Sequence, residues 1–288
     1  MPVRRNTIYR RKSELDRFYT RDEVAADCLK RLFALFDPAD FDEILEPSAG
    51  GGAFFRRLPE RTRRGLDLAP ACPGVERGDF FKAPAPRGRV LTVGNPPFGR
   101  VAALAVRFFN RAAEFSRVVA FVVPRTFRKR SVQDKLDARF HLIDDADLPR
   151  FSFVLDGEPC DVPCCFQIWE RRDPPRKIAP RSLDNPIFEF VPKSRADFAV
   201  RRVGGRAGKC APDLASAAEV SHYFLRLKER GARAARVMAL IDSLDFSRQA
   251  RATAGVRSLS KPEFTEAFLA AWRKSRGRAT LAVVPEVR

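Results

Sequence analysis

Histidine is nearly missing from this chain. Of 288 residues only His141 and His222 are histidine, and they are far apart in sequence. The six cysteines, Cys28, Cys72, Cys160, Cys164, Cys165 and Cys210, show neither paired CxxC spacing nor a histidine partner. A zinc site is therefore not expected, and no residue is expected to ligate a metal. No apolar run approaches the length that crosses a bilayer, and none of signal length follows the basic start Met1-Pro2-Val3-Arg4-Arg5. Together these absences predict an intracellular protein with no membrane association. A hydrophobic content of 45% is ordinary for a globular protein, and the length allows one large or two modest domains.

Acidic charge is also scarce, but unevenly so. Against a formal net charge of +18, residues 1–12 carry five basic side chains and no acidic one. Residues 13–170 carry 24 of each sign, and residues 171–288 carry 25 basic against 12 acidic. A neutral central module flanked by positive segments fits a catalytic domain bordered by polyanion-binding surfaces, and nucleic acid is the expected partner. Solvated lysine and arginine faces explain the sign of the charge better than its distribution.

Between these flanks lie three turns with ligand-binding chemistry. Ile44 and Leu45 end an apolar strand that runs into Glu46-Pro47-Ser48-Ala49-Gly50-Gly51-Gly52-Ala53-Phe54, where the glycines predict a tight turn and close backbone approach to a ligand before a helix. The spacing of Glu46, Gly50 and Gly52 is not G-x-G-x-x-G and brings no phosphate-binding lysine, so neither NAD nor ATP is favoured. About twenty residues on, Asp67 of Arg64-Gly65-Leu66-Asp67 stands where ribose hydroxyls are held in nucleotide-binding sheets. Asp79 of Gly78-Asp79-Phe80-Phe81 is placed to meet an adenine, with Phe80 covering its ring. Taken singly, both acids also read as solvated turn residues.

The strand Leu91-Thr92-Val93-Gly94 then enters Asn95-Pro96-Pro97-Phe98. An amine conjugated to a purine is a poor nucleophile, so a site that methylates it must hold both N–H groups. The Asn95 side-chain oxygen and the Pro96 carbonyl are two acceptors, consecutive prolines fix that carbonyl, and Phe98 supplies a stacking face. Asn-Pro-Pro also suits an ordinary turn.

With the glycine turn upstream, residues 13–170 resemble the S-adenosylmethionine-dependent adenine-N6 methyltransferases, particularly the DNA enzymes whose cofactor motif precedes the catalytic one. The resemblance implies S-adenosyl-L-methionine as cofactor and a catalytic tetrad Asn95, Pro96, Pro97 and Phe98. It implies cofactor binding by Tyr19, Thr20, Glu46, Pro47, Ser48, Gly50, Gly52, Asp67, Asp79 and Phe80. Tyr19 and Thr20 carry over from the segment Asp16-Arg17-Phe18-Tyr19-Thr20, which resembles one that closes over the methionine end of the cofactor. Thr20 with Glu23 also reads as a capping box, followed by a helical stripe of Val24, Cys28, Leu32, Leu35 and Phe36. Phe98 departs from the tyrosine of many DNA members and matches RNA-modifying relatives.

Alternating strand and helix patterns predict an α/β fold, a Rossmann-like methyltransferase sheet with helices on both faces. Val101 to Phe115 recurs at helical spacing, Val118 to Val123 reads as a buried parallel strand, Ser131 to Arg139 as a short helix and His141 to Ala146 as a strand. Phe151 to Trp169 is expected to end the sheet as an antiparallel hairpin, carrying Phe151 or Phe153 to the target base, with core packing as the competing reading. Pro163-Cys164 superficially resembles a cytosine-methyltransferase nucleophile but falls too late in the chain, so covalent catalysis is not expected.

Asp173-Pro174-Pro175-Arg176-Lys177 reads as a linker. The expected organisation is a basic arm over 1–12, a methyltransferase domain over 13–172, and a smaller basic α+β region over 173–288 that recognises the target. Strands are expected at Ile187 to Val191 and Phe198 to Val203. Between and beyond them, Arg201, Arg202, Arg206 and Lys209 in a glycine-rich turn, and Lys261 at a helix start, are the expected phosphate contacts, with a solvated hairpin turn as the alternative. DNA is the favoured substrate. RNA is the next reading, then a protein glutamine amide, then a non-catalytic nucleic-acid-binding scaffold. Nothing in the sequence fixes an oligomeric state.

Overall fold

A computed structural model describes residues 18–178, 183–228, 233–253 and 255–281. The basic arm, with Asp16 and Arg17, lies outside the described residues. The chain divides into two compact units, Met1–Ile178 and Ala179–Arg288. No helix among the described residues is long and apolar enough to cross a membrane.

In the first unit, β1 (Tyr19–Thr20) leads into α1 (Asp22–Phe33). Then come β2 (Glu43–Glu46), β3 (Arg63–Asp67), β4 (Glu76–Arg77), β5 (Val90–Gly94), α2 (Ala103–Ala113), β6 (Ser116–Pro124) and α3 (Arg130–Gln133). The unit closes with β7 (Phe140–Asp147), β8 (Phe153–Leu155), β9 (Glu158–Cys160) and β10 (Cys164–Arg171). Seven strands form one sheet in the order β4-β3-β2-β5-β6-β10-β7, parallel throughout except for β10, which runs antiparallel to both neighbours. It is the Rossmann-like sheet that the alternating pattern predicts.

Alternation along β6 makes the two layers. Val118, Ala120 and Val122 pack with Val24, Leu29 and Leu32 of α1, whereas Val119, Phe121 and Val123 pack with Ala105, Phe109 and Ala112 of α2. Both faces of the central strands are covered, as parallel sheets require.

Four expectations need correction. Phe151 to Trp169 is not a closing hairpin, because β8 and β9 join β1 in a separate three-stranded sheet while β10 crosses between β6 and β7. Cys164 through Trp169 are buried in that central position, and β7, with Asp144, Asp145 and Asp147, takes the edge where charge discourages further pairing. No α-helix follows the glycine turn: a 3₁₀ turn over Phe55–Arg57 is all that forms before Pro59, which lacks the N–H a continuing helix needs. Thr20 and Glu23 do not form a capping box. Pairing of Thr20 with Phe153 keeps Thr20 extended, Arg21 becomes the N-cap without a side-chain bond, and Glu23 pairs with Arg21 at 2.7 Å. The helix ends at Phe33, short of Leu35 and Phe36 of the expected stripe, and Leu35 is exposed.

The second unit holds β11 (Phe188–Phe190), β12 (Phe198–Arg201), β13 (His222–Leu227), α4 (Arg233–Ser243), α5 (Ser247–Arg251) and α6 (Lys261–Leu281). Its antiparallel sheet runs β11-β13-β12. Phe264, Phe268 and Trp272 of α6 form a buried stripe against Phe188 and Val200, with Val237 and Ile241 of α4 completing the core. Ser260 caps α6 reciprocally with Glu263: the Ser260 amide donates to Glu263 Oε2 at 2.8 Å, and the Glu263 amide donates to Ser260 Oγ at 3.4 Å.

Candidate functional site

At the carboxyl ends of β2, β3 and β5, where ligands bind open α/β sheets, lies a cavity of about 650 Å³. Tyr19, Thr20, Glu46, Pro47, Ser48, Gly50, Asp67, Asp79, Phe80, Asn95 and Pro97 line it; Gly52, Pro96 and Phe98 are not among its lining residues. Residues as far apart in sequence as Tyr19 and Pro97 are thus gathered round one space.

The glycine turn is held by its neighbours. Asp67 accepts from the Gly50 amide at 2.7 Å and from the Ala69 amide at 2.8 Å, so its first role is to brace the turn. An ionised carboxylate has further lone pairs, which keeps a ribose hydroxyl within its capacity. Gly50 has φ +48°, and a Cβ there would stand 2.9 Å from the Tyr19 ring; Gly52 has φ +77°, and a Cβ there would run into Cys72. Only glycine meets both conditions. Arg56 donates to the Gly51 carbonyl and pairs with Asp22 at 3.0 Å, tying the turn to α1.

Ser48 joins the turn to the tetrapeptide, its hydroxyl donating to the Asn95 carbonyl at 3.2 Å. The Asn95 amide is fixed from the other side. Its Nδ2 donates to the Phe18 carbonyl at 2.9 Å, which dictates that nitrogen faces Phe18 and leaves Oδ1 buried with no partner. Two more buried oxygens in the same cavity lack a partner, Thr20 Oγ1 and Glu46 Oε2. Buried polar atoms are normally satisfied, so three orphans round one space mark where a polar ligand makes bonds.

Glu46 is 2% exposed. Burial pushes its carboxyl well above the usual carboxylate range; a hydrogen bond from the Phe55 main chain opposes this and the charge of Asp67 reinforces it. In the ligand-free cavity Glu46 is thereby biased toward the neutral acid. Asp79 accepts from the Phe81 amide at 3.0 Å in a tight turn, and Phe80 is 4% exposed, its ring stacked on Phe108 at 5.3 Å.

Phe98 does not present a free stacking face. It is 7% exposed, with Phe18 stacked on it at 6.2 Å and Phe153 edge-on at 6.3 Å. Phe153 is fully buried, so core packing accounts for it, while Phe151 is 42% exposed beneath the Arg150 guanidinium. Past the tetrapeptide the backbone is strained: Val101 and Ala102 hold φ of +53° and +61°, a region L residues rarely occupy.

Cys164 and Cys165 are buried in β10, and burial raises both thiols, which suits packing rather than nucleophilic work. Phe18, Leu68 and Arg56 line the cavity without having been singled out by sequence. Phe18 acts through a main-chain carbonyl, which has no sequence signature; Leu68, 55% exposed beside Asp67, is the readable signal, an apolar residue where a solvated turn would be polar.

In the second unit the glycine-rich turn is committed inward. The Gly204, Ala207, Gly208 and Lys209 amides donate to main-chain carbonyls, and Lys209 Nζ donates to the Asp242 carbonyl and, at 3.0 Å, to that of Leu244. Lys209 therefore closes the end of α4, its ammonium committed to these carbonyls. Arg201 donates to the Val203 carbonyl at 3.1 Å, Arg206 is exposed, and Arg202 and Lys261 border a separate cavity.

No family model and no curated protein matches the chain. Solved structures similar to it include a Pyrococcus horikoshii protein provisionally named an RNA methyltransferase, 16% identical over 57% of this chain and 91% of that one, with a TM-score of 0.45. The 23S rRNA methyltransferase ErmE is 14% identical over 88% of this chain and 98% of its own, with a TM-score of 0.40. Magnesium protoporphyrin IX methyltransferase of Synechocystis PCC 6803, with bound SAM, is 10% identical over 52% and 79%, with a TM-score of 0.37. Likenesses at these scores carry no argument about substrate or activity, which rest on the site itself.

Proposed function

We propose that the first unit is an S-adenosylmethionine-dependent methyltransferase acting on the exocyclic N6 amine of adenine in nucleic acid, with DNA favoured. The observation that carries this reading is Asn95: an amide whose nitrogen is spent on the Phe18 carbonyl, with its oxygen buried and unpartnered in the cavity that the glycine turn also lines.

The residues present fit the cofactor. Gly50 lets the backbone come close, Asp67 and Leu68 suit a ribose and an adenine edge, Asp79 and Phe80 continue that wall, and Tyr19, Thr20 and Glu46 supply polar groups for the amino-acid end. When bound, S-adenosylmethionine supplies an electrophilic methyl group on a sulfonium. Everything else is positioning by this chain. Asn95 Oδ1 and the Pro96 carbonyl would each accept a hydrogen bond from one of the two amine N–H groups, drawing the nitrogen lone pair out of conjugation. Pro96 and Pro97 keep the loop from relaxing, and Phe18 and Phe98 wall off water. No metal ligand or strong base is invoked: the methyl donor is already activated, and the methylated amine, a strong acid while it carries the extra proton, releases that proton to solvent.

A base that stacks on Phe98 must displace Phe18, whose ring now covers that face. RNA is the second reading, favoured by phenylalanine rather than tyrosine at position 98. A radiolabelled methyl-transfer panel of duplex DNA, single-stranded DNA, structured RNA and protein, digested to nucleosides or amino acids, tests both. Label in N6-methyladenine nucleosides is expected; label only in protein or at a ring nitrogen overturns the proposal.

A further inference from the structure

The second unit contains a cavity of about 270 Å³ whose lining includes Phe190, Tyr223, Arg202, His222, Lys261 and the exposed Glu219. Lys261 Nζ sits 4.8 Å from the centre of the Phe190 ring and 5.8 Å from that of Tyr223, and the Arg202 guanidinium stands 5.7 Å from the same tyrosine. The rings are set before any ligand arrives: Phe190 and Tyr223 pack edge-on at 5.5 Å, and the Tyr223 hydroxyl donates to the Leu259 carbonyl at 2.8 Å. Arg202 is held as firmly, with Nε and Nη2 donating to the Val220 carbonyl at 3.3 and 3.0 Å.

Two cations thus converge on one aromatic floor, and among the described residues neither forms a salt bridge. Elsewhere in this unit carboxylates do pair with bases, as Glu189 does with Arg226 and Asp184 with Lys228 at 3.0 Å. Glu219 lines the same cavity, but it is exposed and forms no salt bridge with either cation among the described residues, so two positive charges held together there favour an anion that joins them. A phosphodiester is the anion of matching chemistry: it accepts from lysine and arginine without needing a bidentate planar partner, and its sugar or base can lie on the rings. The cavity is too small for a whole cofactor of the kind placed in the first unit, and the surplus of basic residues beyond position 170 suits a strand rather than a metabolite.

We infer that Phe190, Arg202, Tyr223 and Lys261 form a built contact for a backbone phosphate of the nucleic-acid substrate, which joins two of the expected phosphate contacts, Arg202 and Lys261, to an aromatic floor in this cavity. The inference rests on the nucleic-acid reading of the first unit.

The test is fluorescence anisotropy of the full chain with a fluorescein-labelled single-stranded DNA oligonucleotide across a sodium chloride series. Lys261→Gln should weaken binding several-fold and flatten the plot of log affinity against log salt by about 0.7, one single-strand phosphate contact. Lys261→Arg should restore most of both, and circular dichroism melting shows whether each variant folds. A folded Lys261→Gln chain with wild-type affinity and slope overturns the inference, as does Lys261→Arg behaving like Lys261→Gln. Inorganic phosphate titrated at constant ionic strength separates the polymer from a free anion: release of the oligonucleotide at micromolar phosphate marks a free-ion site and also overturns it. Methyl transfer keeps the two claims apart. If the wild type methylates nucleic acid while Lys261→Gln binds normally, this contact alone is wrong; if the wild type neither binds nor methylates nucleic acid, the proposed function falls first.

Discussion

Replacing Asn95 with alanine separates chemistry from binding. In the structure the Asn95 side chain makes one bond, Nδ2 to the Phe18 carbonyl at 2.9 Å, and keeps one acceptor, Oδ1, unpartnered in the cavity. Losing the first costs about 0.5–1.5 kcal/mol of stability, the ordinary net value of such a bond. Losing the second removes an acceptor whose bond strengthens as the adenine amine becomes tetrahedral. Preorganised groups of this kind contribute about a hundred- to a thousand-fold in rate, or roughly 3–4 kcal/mol. The rate effect therefore exceeds the folding effect. Asn95→Ala should lower single-turnover methyl transfer about a hundred-fold or more while leaving S-adenosylmethionine affinity, measured by calorimetry, within about two-fold. Asn95→Asp is a sharper version, because an ionised carboxylate would set an oxygen against the Phe18 carbonyl where the amide now donates, and it should be impaired at neutral pH. Wild-type single-turnover rates from a folded Asn95→Ala protein would refute the reasoning.

Three further outcomes follow from the geometry. Asp67→Asn removes one of two charged acceptors that hold the Gly50 and Ala69 amides, and at about 1.5–3 kcal/mol for such a bond cofactor affinity should drop roughly ten- to a hundred-fold, read by calorimetric titration. Glu46 has its folded pKa raised by burial, so as pH climbs past its unfolded value near 4.5 the unfolded chain releases a proton that the folded chain keeps, and stability declines up to the folded pKa. Glu46→Gln removes that decline, so its advantage in melting temperature without ligand should widen as pH rises above about 4.5; a constant difference would contradict the buried acid. Lys209→Met should lower the melting temperature by loosening the end of α4 and leave the salt dependence of DNA binding unchanged; a flatter salt dependence would return Lys209 to the phosphate contacts.

What could be read in advance was what side chains encode locally. The apolar run into Glu46, the glycines at 50 and 52 and the Asn95 to Phe98 tetrapeptide mark strand ends that the sheet then brings together, because parallel strands place their carboxyl ends on one edge. Likewise the alternating environment of Val118 to Val123 follows from a continuous apolar run. The misreadings share a physical cause, a partner distant in sequence. Thr20 pairs with Phe153 and cannot cap α1; Phe98 is covered by Phe18; Lys209 finds the carbonyls of Asp242 and Leu244. Strand β10 looks like the arm of a hairpin from its neighbours, yet apolar residues at every position from Cys164 to Trp169 except Gln167 are the mark of an interior strand. Pro59 was legible as a helix stop and limits the segment after the glycine turn to a 3₁₀ turn.

A crystal of the full chain soaked with sinefungin, whose amine replaces the transferable methyl group, tests the central claim most directly. The account predicts the nucleoside beside Asp67 and Leu68 and the sinefungin amine turned toward Asn95 Oδ1, with the Asn95 Nδ2 bond to Phe18 intact. Sinefungin bound elsewhere, or bound in the cavity with Asn95 rotated away from it, would contradict the account.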